Sequence, residues 1–172
     1  LPIEEAIQIE YFCLKESLNE HVRLSLKILM DEMKIAEAVE ALGENSCIIV
    51  TQMHRQNKRE QAIFKGKPLK VSMCEEAGHY YLLLECVSYA YDWDLEKKSQ
   101  SFCDLDLTYK NVIEKVLKPY PKKDFQDQIT NNAKIPDFLL QYEETDWTFL
   151  RRLATHFETF LLEDPTETFG RI

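Results

Sequence analysis

Residues 138–164 read FLLQYEETDWTFLRRLATHFETFLLED. The stretch changes period twice. Phe138 to Tyr142 has the look of a strand. Thr145 or Asp146 is then placed to cap a helix, and Glu143, Glu144 and Asp146 suit the positive end of its dipole. Trp147, Leu150, Leu153, Ala154 and Phe157 recur at helical spacing, so one face is expected to be buried, with Arg151, Arg152 and Glu158 largely off it. Thr159 to Glu163 resumes as a strand, and Pro165 closes it.

Moving upstream, residues 122–136 are polar and loop-like. Before them a helix is expected over about 108–118. Thr108 is its cap, Val112, Ile113, Val116 and Leu117 form one stripe, and Pro119 and Pro121 stop it. The first hundred residues read mostly as strands. In 21–28, Val22, Leu24, Leu26 and Ile28 alternate with polar residues, and 69–73 repeats that pattern. Ile7, Ile9, Tyr11 and Cys13 alternate less cleanly, and Cys47 to Val50 is a short apolar run. One helix, 33–42, interrupts the strands and ends at Gly43. These elements predict a mainly β, α+β chain: a small antiparallel β-barrel, then an α/β segment with two helices.

The segment 79–91, HYYLLLECVSYAY, is apolar on both faces. Tyr80, Leu82, Leu84 and Cys86 share one, and Tyr81, Leu83, Val87, Tyr89 and Tyr91 share the other. A free barrel shows water a polar outer face, so a second covering surface is expected here. Those five residues are the candidate subunit interface. A central strand of a sandwich is the plainer alternative.

The formal charge is -9 and the pI about 5.0. Neither suits a phosphate-binding surface. The densest basic run, His54 to Arg59, lacks an aromatic residue for base stacking and reads as a solvated hairpin tip. Five cysteines without a CxxC argue against both a disulfide framework and a zinc ribbon, so buried free thiols are expected. No apolar run is long enough for a membrane helix and no leader peptide is visible. Synthesis in the bacterial cytoplasm and no membrane partner follow as expectations.

No residue set designates chemistry. Glu143, Glu144 and Asp146 have no partner acid placed for glycoside cleavage. His21, His54, His79 and His156 lack metal-ligand spacing, so no metal or cofactor is expected. Cys103 has no designated base and reads as a half-buried thiol. Trp147 and Phe157 are expected as core anchors rather than a ligand-stacking pair. Arg151 and Arg152 fit a solvated face, an ion pair between domains or an acidic partner.

Tyr142-Glu143-Glu144-Thr145-Asp146-Trp147-Thr148-Phe149-Leu150-Arg151-Arg152-Leu153-Ala154 resembles the late control D and VgrG family of baseplate hub proteins. The family pattern is approximately tyrosine–x–glutamate–serine–aspartate–tryptophan–x–phenylalanine–leucine–x–arginine–leucine–alanine, with Thr145 here in place of serine. The residues singled out as motif positions are Tyr142, Glu143, Asp146, Trp147, Phe149, Leu150, Arg152, Leu153 and Ala154. Leu18 to His21, Phe64-Lys65-Gly66, Ser101-Phe102 and Leu107 to Tyr109 agree in the same order. Two departures stand out. Phe157-Glu158-Thr159 fills a place where the family commonly has a glycine, and the sequence contains no second barrel, neck or β-helical spike.

The resemblance implies a tail-tube-like barrel in 1–105 and, in 106–172, the start of an inserted α/β hub domain with a strand–helix–strand unit over 137–164. It further implies a non-enzymatic homotrimer seated between a six-fold tail-tube protein and a three-fold spike or tip protein. Such a hub is assembled into a phage virion or injection particle and does not bind nucleic acid directly. The chain then reads as an N-terminal fragment of a longer hub. A stand-alone β-barrel binding module is the alternative reading, and a cell-wall hydrolase fragment the weakest.

Overall fold

A computed structural model describes residues 6–43, 46–53, 59–120, 124–167 and 171–172. The chain forms two compact units. Residues up to Glu16 together with Val22–Ser88 form the first, and Ser17–His21 together with Tyr89–Ile172 form the second. The architecture is mainly β with a few helices, as the sequence predicts.

In the first unit, strands β1 (Ala6–Lys15), β2 (Arg23–Met30), β3 (Ile48–Met53), β4 (Glu60–Glu76) and β5 (His79–Ser88) form one antiparallel sheet. Its order is β1-β2-β5-β4-β3, and it curls into a half-barrel. Period-two patterning decides which side is core. Leu24, Leu26, Ile28 and Met30 of β2 pair with Cys86, Leu84, Leu82 and Tyr80 of β5. Phe64 and Ile48 join them in one buried cluster. Helix α1 (Glu32–Ala41), capped by the Asp31 side chain on the Met33 N–H, adds Ile35 to that cluster.

Gly66 is required by packing. A Cβ there would lie 2.2 Å from the Val87 carbonyl oxygen and 2.6 Å from the Phe64 ring. The β4–β5 hairpin turns on Ala77 (φ 53) and Gly78 (φ 79), both left-handed, as a two-residue turn matched to strand twist demands. The predicted tip at 54–59 lies outside the described residues, except for Arg59.

In the second unit, β6 (Lys97–Phe102) pairs with β7 (Leu139–Thr145). Helices α2 (Tyr109–Leu117) and α3 (Asp146–Thr155) supply most of the core, with Val112, Val116, Leu117, Phe149, Leu150 and Leu153 buried together. Both helices begin within two residues of the predicted positions. Thr108 caps α2 in a full capping box with Asn111.

Three expectations are corrected. The strand predicted over 79–91 ends at Ser88, and Tyr89–Asp94 forms a 3-10 helix. That helix turns Ala90 and Trp93 into the second unit's core. The strand expected at 159–163 is absent, because Leu161 exchanges hydrogen bonds with Asn19 rather than with a neighbouring strand. Most thiols are not buried. Cys13, Cys47 and Cys103 are exposed, Cys74 is half-buried, and only Cys86 lies in a core. The exposed thiols sit on an edge strand, ahead of β3 and after β6, where neighbouring apolar residues do not close over them.

Candidate functional site

The Tyr142–Ala154 motif is a joint between β7 and α3, and Glu144, Thr145, Asp146 and Arg152 hold it together. Thr145 is the N-cap, its hydroxyl oxygen accepting the Thr148 N–H at 3.1 Å and its hydroxyl donating to Asp94. Asp146 is fully buried. One of its carboxylate oxygens accepts from Lys98 Nζ at 2.5 Å and from the Tyr120 hydroxyl at 2.6 Å. The other accepts from Gln141 Nε2 at 2.9 Å. Gln141, itself fully buried, accepts in turn from Gln100 at 2.5 Å. Burial, then the Asp146 carboxylate, pushes the Tyr120 hydroxyl upward from its ordinary pKa, so it stays a donor.

Glu144 and Arg152 clamp the joint from outside the core. Arg152 reaches Glu144 at 2.5 Å through Nη2 and 3.4 Å through Nε, and also donates to the Leu140 carbonyl at 2.5 Å. A planar guanidinium makes this fork where lysine would not. Trp147, Phe149, Leu150, Leu153 and Ala154 are buried, and Phe149 stacks on Phe102. Tyr142 and Glu143 are exposed, with Glu143 in a left-handed conformation (φ 49) beside the irregular pairing of Lys98 and Gln100.

The carboxylates therefore do not share one role at the helix start. Asp146 alone lies in the first turn, and it is a buried hydrogen-bond centre rather than an exposed dipole partner. Trp147 is a core anchor, as predicted, and Phe157 is a half-buried one packed on Tyr109. Phe157 also lines a hollow of about 350 Å³ with Tyr109, Ile113, Leu150, Leu153 and Leu161.

Sequence reasoning missed the setting of His21. Its ring is buried, 4.1 Å from Trp147 between ring centroids, with Asp94 at 3.5 Å and Glu163 at 3.6 Å. The Leu18–His21 segment gave family order but no hint of these partners, which lie far along the chain. Among the described residues no group of three or more His, Cys, Asp or Glu is placed to hold a metal ion, and no helix is long and apolar enough to cross a membrane.

Of the five candidate interface residues, Tyr81 and Leu83 stand half-exposed on the side of the sheet away from its core. Val87 has no exposed surface. Tyr89 and Tyr91 lie in the 3-10 helix, where the Tyr91 ring meets His21 edge-on.

The model of the phage tail baseplate hub (GPD) family matches residues 15–161. The chain belongs to that family. The matched span includes the whole joint, with the buried Asp146 network and the Glu144–Arg152 clamp inside it. Among solved structures, an E. coli protein, c3393, is similar over 86% of this chain with a TM-score of 0.55 at 13% identity. It is described as a component of the type VI secretion system with structural similarity to the T4 bacteriophage tail proteins gp27 and gp5. That likeness is one of fold. The match covers 42% of that protein's chain, so this chain spans less than half of its length. No curated protein sequence matches.

Proposed function

We propose that this hub chain works by assembly rather than catalysis. It forms a homotrimeric ring that adapts a three-fold spike or tip protein to a six-fold tail-tube protein. Residues 1–105 supply a tube-like domain and 106–172 begin an inserted hub domain. The assembled location is a phage virion or a related injection particle. The observation that carries the reading is the family match across the Tyr142–Ala154 joint. Every motif carboxylate except exposed Glu143 is committed to holding β7 against α3, which supports a structural role. The half-exposed Tyr81 and Leu83 support a surface covered in the assembly.

A cryo-microscopy reconstruction of the parent particle tests this. Three copies at the junction of tube and spike are expected. A chain found elsewhere in the particle, or in a copy number that is not a multiple of three, sinks the reading.

A further inference from the structure

Residues 159–163 run through the second unit outside any ladder. Both ends are fixed by backbone bonds. The Thr159 N–H donates to the Ala154 carbonyl at the end of α3, and the Asp164 N–H donates to the Arg171 carbonyl at 2.9 Å. Between those ends the segment is latched by Ser17–His21, itself part of the second unit. The Asn19 N–H donates to the Leu161 carbonyl at 3.0 Å, and Asn19 Oδ1 accepts the Leu161 N–H at 2.9 Å. Asn19 sits at φ 60, a left-handed conformation that asparagine tolerates. Two residues on, the Glu163 carboxylate accepts the Ala90 N–H at 3.1 Å and turns its other oxygen toward His21.

We propose that 159–163 is a strap, hinged at Glu158 and Asp164, that opens on its own while α2 and α3 stay folded. Closure gains little from burial. Phe160 and Leu162 already stand at 47% and 58% exposure, so Leu161 is the strap's main apolar contact with the core. The latch also carries a cost. The His21 side chain is 7% exposed, yet neither of its ring nitrogens has a hydrogen-bond partner among the described residues. Asp94 and Glu163 stand at 3.5 Å and 3.6 Å, too far to accept well. Release lets water reach the ring nitrogens and the Glu163 carboxylate, which recovers part of the cost of burying them. Little apolar burial on a short irregular segment is the mark of low local stability. Phe160, Leu161 and Leu162 form one wall of the hollow of about 350 Å³, and Tyr109, Leu150 and Leu153 are part of its floor. An open strap turns that hollow into a wider apolar groove.

Native-state hydrogen exchange of the full chain, read amide by amide by NMR across a series of low urea concentrations, tests this. The Leu161 and Ala90 N–H groups report one end of the latch each. In the wild type both should be protected at least about tenfold less than the Leu150 and Leu153 amides of α3, and their exchange should respond only weakly to urea. Val112→Ala, in the core but not lining the hollow, should lower the protection of Leu150 and Leu153 at least about tenfold and leave Leu161 and Ala90 unchanged. Asn19→Gly keeps the left-handed backbone and removes one latch bond. Ala90, which bonds Glu163 and not Asn19, should then lose about tenfold in protection together with Leu161. Leu161 and Ala90 amides that respond to urea as steeply as those of α3 overturn the strap, and the wild type alone decides that. So does a Val112→Ala variant that lowers all four amides equally. An Ala90 amide unmoved by Asn19→Gly shows that the two ends open separately, and the strap as one unit falls.

Discussion

Asp146 shows what one residue can hold. Its carboxylate is the meeting point of Lys98 from β6, Tyr120 from the turn after α2 and Gln141 from β7. Asp146→Ala leaves a lysine and two polar groups facing an emptied site, and loss of one partner of a buried ion pair typically costs about 3–5 kcal/mol. Lys98 is partly exposed and can reach water, so the lower end is expected, about 3 kcal/mol. Asp146→Asn keeps the shape and some hydrogen bonds and should lose roughly half as much. Urea unfolding measures both, and an alanine variant as stable as the wild type would show that water already satisfies the network. This residue was only half legible in the sequence. An aspartate beside a helix start reads correctly as a helix start, but its burial depends on Lys98 and Tyr120, which local spacing cannot place.

At the scale of the element, α3 ends where a glycine was expected and absent. Glu158 takes the left-handed conformation anyway, at φ 53. Its N–H bonds the Thr155 carbonyl, and the Thr159 N–H reaches back to Ala154 at 3.2 Å. That pair of bonds is a Schellman ending, in which glycine carries no Cβ penalty. Glu158→Gly should therefore stabilise the chain by about 0.5–1 kcal/mol, part of the left-handed cost being offset by the freer unfolded backbone. A lower denaturation midpoint for the variant would mean that the glutamate side chain contributes more than its backbone strain costs. The departure from the family pattern was visible in the sequence, and so was the alternation of 159–163. The alternation survives as burial, with Phe160 and Leu162 out and Glu163 in. The ladder does not, because period two reports which face is buried and not which backbone bonds it. The bond here comes from Asn19, 142 positions away.

At the scale of the whole molecule, the mainly β architecture and both helices of 106–172 followed from periodicity and capping, since those signals are local. Thiol burial did not, because it depends on how strands from distant segments close over each side chain. Cys86 is the test of that difference. It faces the core of the first unit between Leu24 and Pro68, and burial pushes its thiol up to about 12. The sign follows directly. A thiol whose pKa is raised on folding favours the native state fully below its unfolded value. That contribution is lost as pH rises from about 9 toward 12. In native protein a thiol reagent should modify Cys13, Cys47 and Cys103 quickly and Cys74 more slowly, leaving Cys86 intact until the sheet opens. Mass spectrometry of labelled peptides across a denaturant series should then show Cys86 labelling rise with global unfolding, and the Cys86→Ala variant should lose part of the alkaline fall in stability. Fast labelling of Cys86 in native buffer would mean that β2 and β5 part well below the global unfolding free energy, so that the half-barrel breathes before it unfolds.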